Sequence, residues 1–144
     1  MAKTIRIEST YAASPDALWA FAKDFTQLAP VSAGSVEFRG LPPDPVVRGQ
    51  VVDFEVKPFY ARAFKPYRVT MLEVDDTRRR FFSAEEGAGV KSWRHRLSVL
   101  PDGAGSRQID EIEIDAGLMT PLVALMAKRM YRKRALVRAR LLAP

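Results

Sequence analysis

The chain carries a single histidine, His95, and proton chemistry near neutral pH would centre on it. Trp93, His95, Leu97 and Val99 alternate with Ser92, Arg94, Arg96 and Ser98, which puts His95 on the apolar face of a strand. Pro101-Asp102-Gly103-Ala104-Gly105 reads as a hairpin turn. The strand after it sets Asp110, Ile112 and Ile114 on one face and Glu111, Glu113 and Asp115 on the other. Pairing about that turn places Leu97 opposite Asp110 and His95 diagonal to it, within reach of a long side chain. A buried imidazole beside a carboxylate can hold a proton, orient a ligand carbonyl or act as a base. The same two residues also make sense as a core histidine bonded to its neighbour and doing nothing else. His95 and Asp110 are therefore the candidates for catalysis and for the polar end of a cavity.

Other chemistries lack their residues. With no cysteine there is no disulfide framework, thiolate metal site or cysteine nucleophile. No glycine-rich phosphate loop, His-Glu-x-x-His pair or serine elbow occurs, so neither a metal nor a cofactor is expected. Met1–Ile7 alternates apolar and polar residues without an apolar signal core, and no apolar run approaches the roughly 18 residues of a spanning helix. A cytoplasmic location is the expectation. The net charge of +6 is local: residues 128–144 hold Lys128, Arg129, Arg132, Lys133, Arg134, Arg138 and Arg140 and no acid. The rest of the chain is close to neutral, which makes nucleic acid an unlikely partner and leaves membrane contact as a weak option.

The elements that position His95 and Asp110 follow from pattern. Ile5, Ile7, Ser9 and Tyr11 alternate with Arg6, Glu8 and Thr10 as a first strand. Ser14-Pro15-Asp16 supplies a hydroxyl cap, a preset φ and an acid at the positive end of a helix. Leu18, Trp19, Phe21, Ala22 and Phe25 form its apolar face, and residues 26–31 hold a second short turn before Pro30. Strands follow at 35–39, 52–56, 67–74, 78–86, 92–99 and 106–115. The segment 58–66 is an aromatic loop. Alternation does not settle which face of 67–74 or of 78–86 points inward. Residues 118–142 form the longest helix, opening near Thr120-Pro121. On a wheel of 100° per residue, Leu118, Leu122, Leu125, Met126, Met130, Leu136, Val137 and Leu141 fall within about 160°.

Successive strands joined by tight turns make an antiparallel sheet, and a long twisted sheet curls and needs a cover on its concave face. The expected fold is α+β: about seven antiparallel strands wrapped on the C-terminal helix, with one or two short helices after strand 1, as a single domain over 1–144. A curved sheet plus one helix leaves a cavity. Its expected wall is Phe54, Val56, Tyr60, Phe82, Trp93, Leu97, Ile112, Met126 and Met130, with His95 and Asp110 as the polar group. Phe81 and Phe82 cannot both point inward; Phe82 enters this set. Arg129 and Lys133 fall inside the apolar arc of the helix. Each either meets an anionic ligand or Asp110, or lies in water past the sheet. Arg140 is expected to protrude, and Arg132, Arg134 and Arg138 to form a solvated face.

This order of elements resembles the helix-grip fold of the START/Bet v 1-like superfamily, in particular bacterial polyketide cyclase/dehydrase-like and lipid-transport-like proteins. Ser14-Pro15-Asp16-Ala17-Leu18-Trp19 matches its opening, and Trp93-Arg94-His95, Gly105–Glu111 and Tyr131-Arg132-Lys133-Arg134 match the spacing of one subgroup. The glycine-rich loop of the plant relatives is reduced here to Gly34, so no phosphate- or cytokinin-type recognition carries over. The resemblance implies a small hydrophobic ligand, lipid-like or aromatic, bound by a monomer or homodimer. It supplies no reaction. Two alternatives remain: a cyclase or dehydratase using His95 as acid–base, and a module that meets anionic surfaces through the basic helix.

Overall fold

A computed structural model describes residues 2–143. Seven strands form one antiparallel sheet in the order β1-β7-β6-β5-β4-β3-β2. They are β1 (Lys3–Tyr11), β2 (Val36–Arg39), β3 (Val51–Pro58), β4 (Lys65–Asp75), β5 (Arg80–Gly87), β6 (Val90–Asp102) and β7 (Gly105–Asp115). Between β1 and β2 lie α1 (Pro15–Ala22), a 3₁₀ turn (Phe25–Gln27) and α2 (Leu28–Val31). After β7, a 3₁₀ turn (Gly117–Met119) leads into α3 (Thr120–Leu141). This is the expected helix-grip arrangement.

The local signals act as read. Ser14 Oγ accepts from the Ala17 amide at 3.2 Å, and Pro15 opens α1. Asp24 ends the run and caps the next turn through the Thr26 amide at 2.9 Å. Pro30 sits inside α2 and not after it; in a four-residue helix its nitrogen has no helical acceptor to lose. The β6–β7 hairpin pairs Leu97 with Asp110 and His95 with Ile112.

The parity of β4 and β5 rests on a bulge. Met71 pairs with Ser83 but Glu73 pairs with Phe82, so the extra residue Leu72 reverses which β4 side chains face inward. Tyr67, Val69 and Met71 point into the concavity before the bulge, and Val74 after it. On β5 the inward residues are Phe81, Ser83 and Glu85. Phe82 is on the outer face, with the Arg96 guanidinium 3.9 Å and that of Arg94 5.2 Å from its ring centre.

The largest departure from expectation is the rotation of α3. Leu118, Leu122, Leu125, Leu136 and Leu141 are exposed, Leu118 fully so. The buried residues are Thr120, Ala124, Ala127, Tyr131, Arg134 and Arg138, a stripe with spacings of four, three, four, three and four. Ala124 and Ala127 pack with Ile5, Ile7, Ile112 and Ile114 of β1 and β7. Small residues let the helix axis approach the sheet, and leucines there would hold it off. Arg134 and Arg138 are thereby buried instead of solvated, while Arg129, Arg132, Lys133 and Arg140 stay exposed.

Candidate functional site

A cavity of about 410 Å³ lies between the concave face and α3. Phe54, Val56, Val69, Met71, Phe81, Leu97, Met126 and Met130 belong to its apolar wall. Among the ligand residues expected from sequence, Phe54, Val56, Trp93, His95, Leu97, Asp110, Met126 and Met130 line it. Tyr60 and Arg129 line it from exposed positions. Two expected residues do not. Phe82 faces outward, because the β4–β5 register puts Phe81 inward. Ile112 is fully buried in the packed core under α3, where the helix lies closest and leaves no space.

Polar groups gather on one wall. His95 Nε2 lies 2.7 Å from Asp110 Oδ1, and Gln108 Nε2 donates to Asp110 Oδ2 at 2.9 Å. With Asp110 accepting from Nε2–H, the lone pair of a neutral imidazole falls on Nδ1. Nδ1 is turned toward Glu85 Oε2, 4.0 Å away and beyond hydrogen-bonding distance. Glu85 accepts instead from Tyr67 Oη at 2.8 Å and Ser83 Oγ at 2.9 Å. The rings of Phe81 and Tyr131 each meet the imidazole edge-on at 5.5 Å and hold its plane. The result is a fixed imidazole with one nitrogen committed to a carboxylate and the other available as a proton acceptor.

The electrostatics follow from burial. Desolvation pushes the Asp110 carboxyl up, but the hydrogen bond from His95, the charge of Arg138 and the Gln108 amide outweigh it and hold Asp110 below the usual carboxylate range. Burial drives the Tyr67 phenol well above its ordinary value, and the neighbouring Glu85 adds to this. Burial also raises Tyr131, against an opposing pull from Arg134. A phenol whose folded value is raised contributes stability that is complete below the unfolded value of about 10 and lost as pH rises through the folded one. Chemical denaturation should therefore show stability falling above about pH 10, with a shallower fall in Tyr131→Phe. Equal slopes for parent and variant would contradict this.

Several of these groups escape a sequence reading. Gln108 shares Asp110's face two residues away and was legible. Ser83 and Glu85 needed the β5 parity, which the bulge conceals. Tyr131, Arg134 and Arg138 needed the rotation of α3. Its small-residue stripe through Ala124 and Ala127 is the signal that could have found them.

Residues 3–141 match the protein family described as polyketide cyclase / dehydrase and lipid transport. The chain belongs to that family. It shares the fold of the START/Bet v 1-like superfamily. Protein Ms6760 from Mycobacterium smegmatis superposes with a TM-score of 0.78 at 15% identity, covering 97% of this chain and 90% of that one. The Zhui aromatase/cyclase from a Streptomyces species gives 0.66 at 14% identity over 97% and 90%. Norcoclaurine synthase from Thalictrum flavum, in complex with dopamine and hydroxybenzaldehyde, gives 0.66 at 19% identity over 98% and 86%. At these identities the likeness concerns the fold. No curated protein matches the chain. Among the described residues, no helix is long and apolar enough to cross a membrane.

Proposed function

We propose that this family member binds a small, mostly apolar molecule in the cavity, with a carbonyl or hydroxyl of the ligand directed at His95. One observation carries the reading: an apolar chamber of about 410 Å³ with a fixed, carboxylate-bound imidazole in its wall. Norcoclaurine synthase, of the same fold, holds small aromatic molecules, which supports the size and class of ligand. Native mass spectrometry of the protein taken from its own host, then denaturation, should release a stoichiometric apolar compound. A protein that emerges empty and fails to bind any panel of apolar carbonyl compounds would sink the proposal.

A second reading has its own support in the uncommitted Nδ1 of His95, a suitable general base for a cyclase or dehydratase. His95→Gln separates the two. Binding alone predicts that the variant loses affinity by about tenfold or less, the worth of one hydrogen bond. Catalysis predicts turnover reduced by about 100-fold or more with affinity retained.

A further inference from the structure

Among the described residues, the cavity wall contains one buried charge that the protein leaves unpartnered. Arg134 projects from α3 into the wall and is 8% exposed. Its Nε is buried without a hydrogen-bond partner, and among the described residues its guanidinium forms no hydrogen bond or ion pair. It lies over the Tyr131 ring at 5.1 Å. The other buried charges facing the cavity are satisfied. Asp110 holds His95 and Gln108, Glu85 holds Tyr67 and Ser83, and Arg138 donates to Tyr11 Oη at 3.0 Å.

A buried cation without an anion is costly, and a guanidinium cannot escape by losing its proton. Its planar fork fits a carboxylate or a phosphate by two parallel hydrogen bonds. The surroundings favour an anion at this end. Arg129 and Lys133, exposed and one helical turn from each other, line the same cavity, and residues 120–141 contain no acid. Glu85 and Asp110 repel an anion from the imidazole wall. The apolar body is left to lie along Phe54, Val56, Met71 and Phe81.

We propose that the ligand is an amphipathic anion, an apolar body ending in a carboxylate or a phosphate, with the anionic end seated on Arg134. This rests on the reading of the cavity as a ligand site and names its ligand class. The test is isothermal titration of the intact protein at neutral pH with decanoate, decyl phosphate and decan-1-ol, which share one chain and differ at the head. The parent should bind at least one anion about tenfold or more tighter than the alcohol, the worth of a charge-assisted hydrogen bond. Whichever anion binds tighter identifies the head group. Arg134→Gln should erase that preference, while Arg134→Lys should keep part of it. Empty Arg134→Gln should melt at or above the parent, because it removes an unpaired buried charge. Equal binding of all three probes by the parent overturns the proposal and leaves the cavity reading standing. So does a preference that survives Arg134→Gln. If none of the three binds, this proposal falls, and the cavity reading falls with it only if the apolar carbonyl panel also fails to bind.

Discussion

Asp110→Ala is expected to lose about 3–5 kcal/mol of folding stability at neutral pH, the cost of removing one partner from a buried pair. Asp110 is 2% exposed and accepts from both His95 and Gln108. Alanine leaves an imidazole nitrogen and an amide without their buried acceptor, and removes an anion that interacts with Arg138. Asp110→Asn keeps an acceptor and should cost clearly less. The double replacement His95→Phe with Asp110→Leu should recover much of the loss, because no polar group is left orphaned. The pH dependence has a definite sign. The folded Asp110 value lies below the ordinary one, so its contribution is fully present above the unfolded value of about 3.9 and lost as pH falls through the folded value. The gap between parent and Asp110→Asn in urea melts should therefore narrow below about pH 4. An Asp110→Ala protein within about 1 kcal/mol of the parent at pH 7 would refute the account of the pair.

Gly105→Ala is the second change expected to be severe, at about 4 kcal/mol or more. A Cβ there would lie 2.1 Å from the Tyr11 carbonyl oxygen and 3.3 Å from the Ala12 Cα, both backbone atoms of the segment leaving β1. Backbone cannot swing aside as a flexible side chain can, so the β1–β7 pairing must open where Tyr11 meets Ser106. Tyr11 also anchors Arg138 through its hydroxyl, so the disturbance reaches the cavity wall. Gly103→Ala is the control. Nothing lies within 4 Å of its added Cβ, and its φ of 56° should cost about 1–2 kcal/mol. Thermal unfolding of the two variants side by side tests this. Equal, mild losses would show that the strands yield at Gly105.

The hairpin geometry around the imidazole was legible because it is local. Strand period two and a turn of known length fix which residues of 92–99 and 106–115 stand opposite each other, and the pairing of Leu97 with Asp110 follows. The choice between Phe81 and Phe82 was not legible, since both parities of 67–74 are correct on either side of Leu72. A bulge is set by the sheet's curvature and leaves no period of its own in the sequence.

Sequence alone determined the order of elements, the antiparallel sheet with its helical cover, the Ser14-Pro15 start of α1 and the meeting of His95 with Asp110. Each depends on residues near one another along the chain or joined by a short turn. Tertiary structure alone decided the rotation of α3, and with it the burial of Arg134 and Arg138 and the exposure of four of its leucines. A hydrophobic arc scores the affinity of side chains for an interior. It does not score how closely the helix axis must approach β1 and β7. Ala124 and Ala127 satisfy that approach and bulkier leucines do not, so close packing turned the cationic stripe inward.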